Sequence, residues 1–218
     1  MSTEYGDSCA EYYDELYGFA NRSVVRALRG LARGGTALEL GLATGRTAIA
    51  LAEHCAAVYG IESSSAMLER FSAKDGSTRV RAIHGDFAAV VLEQRFDLVF
   101  ALVDTFFLLT TEAAQSGCMR NIVRMLKPNG VLVLESFPKF GRREQEAVVE
   151  RHFVTTSGGQ REYVVRRYQR TNEELDTMAS TAGLELAERW SDWGGSTCTV
   201  DSTQSISVYR LRRETPPN

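Results

Sequence analysis

The sequence predicts an α/β protein: a mostly parallel seven-stranded sheet with helices on both faces and a C-terminal antiparallel hairpin. Three observations predict it. Short apolar runs alternate with segments of helical period through the first 134 residues, the pattern of a parallel sheet joined by crossover helices. The run Phe96–Leu102 is apolar at nearly every position, as a strand covered on both faces must be. The last two strand-like runs, Leu184–Trp190 and Ser205–Leu211, have no helix between them and should therefore pair antiparallel.

Taken in order, two short helices are expected over Ala10–Phe19 and Ser23–Leu31. Gly34 and Gly35 break the chain before the strand Thr36–Leu40. The glycine turn Gly41–Gly45 feeds a helix over Arg46–His54, and the strand Ala57–Ile61 ends at Glu62. Ser63 or Ser64 caps the next helix, which carries Met67, Leu68 and Phe71 at core spacing. The strand Val80–His84 runs into Gly85-Asp86-Phe87. Thr111 opens a helix bearing Cys118, Ile122, Met125 and Leu126, which the turn Lys127–Gly130 ends before the strand Val131–Leu134.

Beyond Pro138 the character changes. From Lys139 to Arg170 eight Lys or Arg face four Glu. A helix containing Ala147–Val149 and a strand near Tyr163–Tyr168 are expected, joined through Ser157–Gly159. A capping box, Thr171 with Glu174, opens the last helix; it buries Leu175, Met178 and Ala182, and Gly183 supplies its left-handed end. Arg213–Asn218 reads as a polar, frayed tail. One domain spans 1–218, with lid helices in 1–31 and a variable cover segment in 138–170.

Composition narrows the function. The chain has 218 residues, a net charge of −3 and 44% hydrophobic residues, enough for a full core. The acidic balance argues against a nucleic-acid partner held by a basic field. The four cysteines include no C-x-x-C pair, so neither a zinc site nor a disulfide framework is expected. The acidic, aromatic start lacks the basic and apolar regions of a secretory signal, and no apolar run is long enough to cross a bilayer. A cytoplasmic protein without a membrane partner is the expectation.

The stretch Thr36–Arg46 carries most of the functional information. A strand ending in a glycine turn brings backbone and helix N–H groups close to a ligand. A dinucleotide fingerprint would need glycine at 43 and 46, where Ala43 and Arg46 stand. What is present is Glu39-x-Gly41-x-Ala43-x-Gly45. The run Ala37–Arg46 resembles the first motif of class I, Rossmann-like methyltransferases that use S-adenosylmethionine, of the bacterial small-molecule type. It departs from their usual form by Ala43 in place of the middle glycine, which narrows the approach to the cofactor's amino-acid tail.

Later segments resemble further motifs of that family in the right order: Tyr59–Leu68, His84–Phe87, Phe96–Phe100, Leu126–Gly130 and the closing stretch Glu188–Ser196 with Ile206–Tyr209. Glu62 follows Gly41 by 21 residues, the distance at which a carboxylate meets a ribose diol. The resemblance implies S-adenosyl-L-methionine as cofactor, with Glu39 at the amino end of the methionine moiety, Glu62 at the ribose, Asp86 at the adenine amino group and Phe87 on the ring. Gly41, Ala43, Gly45, Ser63, Met67 and Ala101 complete the expected cofactor-facing set. It also implies that Tyr12–Tyr17 is a lid helix, with Tyr13 and Tyr17 on one face over the cofactor.

Ligands of open α/β sheets lie beyond the carboxyl ends of strands, which points to Asp104 and Glu135 as acceptor-side carboxylates, with Tyr17 assisting. Each has a plainer reading: Asp104 as a helix-capping or cofactor-side residue, Glu135 likewise, the two tyrosines as amphipathic packing. Trp190 and Trp193 fit the edge hairpin better than a substrate, and His84 is read as structural. No trio of metal ligands is evident. In-line displacement from an activated sulfonium rests chiefly on alignment in a dry pocket, so no dedicated His base is expected. The acceptor is a small molecule with an oxygen, nitrogen or carbon nucleophile. A non-catalytic cofactor-binding protein and a nicotinamide-dependent oxidoreductase are the alternatives. The 138–170 segment is short for a full cover, leaving an open pocket, one completed in a homodimer, or one suited to another substrate.

Overall fold

The computed structural model describes residues 3–137 and 147–212. The expected tail at 213–218 and the first part of the cover segment lie outside them. The elements run α1 (Glu4–Cys9), α2 (Tyr13–Tyr17), α3 (Arg22–Ala32), β1 (Thr36–Leu40), α4 (Arg46–Leu51), β2 (Ala57–Glu62), α5 (Ser65–Ser72), β3 (Val80–His84), β4 (Phe96–Ala101), α6 (Glu112–Met125), β5 (Leu126–Ser136), β6 (Val148–Thr156), β7 (Gly159–Arg167), α7 (Asn172–Thr181), β8 (Leu184–Trp190) and β9 (Ser205–Leu211).

Seven strands form one sheet in the order β3-β2-β1-β4-β5-β9-β8, parallel except where β9 inserts antiparallel between β5 and β8. Alternation along each strand divides the core in two. Leu38, Leu40, Val99, Ala101, Leu132 and Leu134 pack under α6 and α7. Ala37, Leu98, Phe100 and Val133 point the other way, toward α3 and α4. The order reverses between β1 and β4, so the loops after these two strands splay apart and leave a crevice at their carboxyl ends.

The sequence reading needs three corrections. The expected N-terminal helix over Ala10–Phe19 is broken: α1 and α2 flank a 3₁₀ turn at Ala10–Tyr12. Residues Lys127–Gly130 do not stand apart from the following strand. They are an excursion within β5, whose register against β4 jumps from Phe96–Leu126 to Leu98–Val131. Finally, Val148 and Val149 belong to a strand rather than a helix. β6 and β7 form a separate hairpin closed at Ser157-Gly158, with His152 opposite Tyr163. β-branched residues at 148, 149, 154, 155 and 156 favour the extended chain there.

The hairpin packs on α1, and its arginines find the acidic N-terminal segment. Arg166 pairs with Glu4 at 3.2 Å and Arg161 with Glu11 at 3.7 Å, while Glu15 accepts from the backbone N–H and hydroxyl of Ser157. Arg151 pairs with Glu162 and Arg167 with Glu150 within the hairpin. The described arginines thus pair within the hairpin and with the N-terminal segment.

Candidate functional site

At the carboxyl end of the sheet, between the β1, β2 and β4 loops and the N-terminal helices, lies a cleft with two adjoining lobes. The first is lined among others by Gly6, Ala43, Glu62, Ser63 and Met67. The second is lined by Tyr17, Glu39, Arg46, Leu102, Val103 and Arg167. Tyr5, Tyr13, Gly41, Ala43, Thr105 and Leu108 border both.

The glycine turn is shaped for close approach. Gly41 has φ +74°, and a Cβ there would collide with Thr105 Cγ2 from the loop after β4. Gly45 (φ +75°) is the N-cap of α4, and a side chain there would strike Phe71, so this glycine serves packing rather than the cleft. Ala43 occupies the left-handed region at φ +49°, where glycine would be unstrained. Its methyl borders both lobes.

Two buried carboxylates hold this turn. Glu62, at the end of β2, accepts from Ala43 N–H at 2.8 Å and from Ser64 N–H at 2.9 Å. Burial pushes its pKa up, and these backbone donors oppose the shift. Its remaining lone pairs can accept from a ligand hydroxyl pair. Glu39 points from β1 toward α4 and accepts from Ala48 N–H at 3.1 Å. Burial raises its pKa to about 8 despite the Arg46 cation nearby.

The N-terminal segment is latched over the cleft. Asp14 accepts from Thr44 Oγ1 at 2.6 Å and pairs with Lys74 at 2.7 Å; Ser64 Oγ donates to Asp7 at 2.6 Å. Tyr13 and Tyr17 stack obliquely with centroids 4.6 Å apart, and the Tyr5 and Tyr17 hydroxyls lie 3.0 Å apart. Arg46 sits over the Tyr17 ring and donates to the carbonyls of Tyr17 and Phe19.

Of the residues singled out in the sequence, the structure brings Tyr13, Tyr17, Glu39, Gly41, Ala43, Glu62, Ser63 and Met67 together around the cleft. Phe87 and Ala101 are instead in the core under α6, each 1% exposed. Asp86 accepts from Ala88 N–H in the turn after β3 and does not border either lobe.

Asp104 and Glu135 stand behind the cleft wall rather than in it. Asp104 accepts from Phe137 N–H and from Gln169 Nε2; Glu135 accepts from Val103 N–H, Trp193 Nε1 and Gln204 Nε2. Trp193 thereby has its polar partner in the fold, and His84 bonds the Ser63 carbonyl. Sequence reasoning missed Tyr5, Arg46 and Arg167 as cleft residues. Among the described residues no group of three His, Cys, Asp or Glu could hold a metal ion, and no helix is long and apolar enough to cross a membrane.

Residues 37–130, which build this glycine turn and the three strands around it, match a family model described as a methyltransferase domain. The chain is similar to the cypemycin N-terminal methyltransferase of Streptomyces sp, 35% identical over 102 residues, 47% of this chain and 42% of that protein. It therefore spans less than half the length of this curated relative. Its fold is similar to the CcbJ methyltransferase from Streptomyces caelestis, with a TM-score of 0.86 and 32% identity over 96% of this chain and 98% of the other. A further likeness, in fold alone, is to the SAM-bound amino pentose methyltransferase CalS10 from Micromonospora echinaspora, with a TM-score of 0.68 and 23% identity over 91% of this chain and 96% of the other.

Proposed function

The chain belongs to the S-adenosylmethionine-dependent methyltransferases, and from that premise we propose that it methylates an amine nitrogen of a small-molecule acceptor. The observation that carries the nitrogen assignment is the trio of phenol rings, Tyr5, Tyr13 and Tyr17, gathered on the cleft beside buried Glu39. When bound, the cofactor supplies an electrophilic methyl group on a sulfonium. An amine brings its own lone pair and acquires positive charge as it is alkylated, and aromatic faces favour that charge. The ammonium product can shed its proton to solvent at the cleft mouth, so the chain's task is alignment and exclusion of water.

In this reading Glu62 and Ser63, with Met67 below, hold the nucleoside, and Glu39 with Arg46 holds the charged amino-acid end. Support comes from the fit of the cradle: Gly41 lets the glycine turn lie directly against Thr105, and buried Glu62 faces the cleft from among backbone donors. Residues 1–31 act as the lid and 138–170 as the cover, in a cytoplasmic enzyme whose proposed homodimer light scattering would test.

The test is to incubate the purified chain with S-adenosylmethionine and a panel of primary and secondary amines, amino sugars and short peptides, and to follow S-adenosylhomocysteine and product by mass spectrometry. Methyl addition at nitrogen is expected. Methylation of phenols or hydroxyls alone would overturn the nitrogen assignment, and binding without turnover across the panel would favour a non-catalytic protein.

Glu62→Ala should weaken S-adenosylhomocysteine binding about 10-fold or more by calorimetry, since it removes a charged acceptor worth roughly 1.5–3 kcal/mol. The far-ultraviolet circular dichroism should remain that of the parent. Unchanged affinity would remove the assigned role.

A further inference from the structure

The loop after β4 holds two consecutive non-glycine residues in the left-handed region, Val103 at φ +49° and Asp104 at φ +61°. For a β-branched residue this conformation is an outlier, and it persists only where the surroundings impose it. The surroundings do so here. Glu135 accepts from Val103 N–H at 2.8 Å, and Glu135 is itself fixed by Trp193 Nε1 at 2.9 Å and by Gln204. Asp104 is tied to Phe137 N–H at 3.2 Å and Gln169 Nε2 at 3.1 Å. Both carboxylates are at most 5% exposed.

Packing does not explain a valine at this position. Its side chain is 41% exposed, so little apolar contact offsets the backbone strain, and glycine or asparagine would occupy the conformation more easily. What the conformation achieves is placement. Val103 borders the cleft lobe that also contains Tyr17, Glu39, Arg46 and Arg167, and the following Thr105 is delivered against Gly41.

We propose that Val103 is a specificity-determining wall of the Glu39 lobe, and that Glu135 and Asp104 are positioning residues that hold it there. The proposal rests on the methyl-transfer reading, because it assigns this wall to the part of the cleft where the acceptor meets the methyl donor. The wall's isopropyl group bounds the space beside the donor's reactive carbon, and the two carboxylates act only through the backbone they clamp.

Val103→Gly and Glu135→Gln, singly and together, test it with two probes that differ at the reacting position. S-adenosylhomocysteine has a bare sulfur there; sinefungin has an amine-bearing carbon. Val103→Gly should raise the melting temperature by about 2–4 °C through relief of strain. It should also weaken sinefungin relative to S-adenosylhomocysteine by roughly fourfold, the value of about one buried methylene. Glu135→Gln should lower the melting temperature and move the same ratio, and its effect on both should be smaller in the Val103→Gly background, where the clamp has less to hold. A lower melting temperature for Val103→Gly, an unmoved ratio, or additive effects in the double variant would each overturn the proposal. If the parent binds neither probe, the methyl-transfer reading fails first; if it binds both and the ratio stays put, only the wall is refuted.

Discussion

Alanine in place of Gly41 should all but eliminate cofactor binding, raising the dissociation constant for S-adenosylhomocysteine at least 100-fold. Two independent costs converge on one methyl group. The backbone at φ +74° costs an L-residue roughly 1–2 kcal/mol, and the added Cβ would overlap Thr105 Cγ2. Overpacking of this kind typically costs about 1–3 kcal/mol. The overlap cannot be relieved by moving Thr105. Its hydroxyl donates to the Leu102 carbonyl at 2.7 Å, and the preceding residues are clamped by Asp104 and Glu135. The glycine turn must shift instead, which pulls Ala43 N–H away from Glu62 and distorts both lobes at once. Calorimetry on the variant checks the affinity. Adding Thr105→Ser, which deletes Cγ2 but keeps the hydroxyl, should recover part of the binding. Affinity within threefold of the parent, or no recovery in the double variant, would show that the close approach of these loops is not what shapes the cleft.

That contact also marks where the sequence stopped being readable. The central strands were legible because burial on both faces leaves apolar runs such as Phe96–Ala101, and the caps at Ser64, Thr111 and Thr171 were legible because capping chemistry is local. The hairpin β6–β7 was half legible: Gly159 announced the turn, yet the alternating inward and outward residues of Val148–Thr156 were lost among charges that also suit a helix. The strained turn at Val103–Asp104 carried no local signal, since nothing in Leu-Val-Asp-Thr predicts a positive φ. Its partner is Glu135, 32 residues away, a contact that no local pattern around Asp104 announces. Tyr5 and Arg167 reach the cleft only through the docking of α1 on β7, a long-range event. Arg46 was visible as the residue after Gly45, but its use depends on the N-terminal segment whose carbonyls it binds.

Glu39→Gln should stabilise the protein at alkaline pH while impairing its function, and the pH dependence separates this from an ordinary substitution. Burial raises the Glu39 pKa to about 8, against an ordinary value of 4.5. Between these values the folded state binds a proton that the unfolded state has released. Folding stability therefore falls as pH rises from about 4.5 to about 8, and above that the buried carboxylate is ionised at the full cost. Each unit of pKa difference corresponds to about 1.4 kcal/mol, so the cost amounts to a few kcal/mol. Glutamine mimics the protonated acid and still accepts from Ala48 N–H. The variant should match the parent's melting temperature at pH 5 and exceed it by about 5–10 °C at pH 9. In the reading proposed above, the ionised carboxylate is what meets the cofactor's ammonium group, so the variant should lose roughly 10-fold or more in affinity at pH 9. The parent's own affinity should climb as pH rises toward 8, because binding selects the charged form. Parallel melting curves for the two proteins across this range would mean that Glu39 is already ionised without a ligand. A stability sacrificed at the binding pH and recovered by an uncharged isostere is the signature of a carboxylate retained for its ligand rather than for the fold.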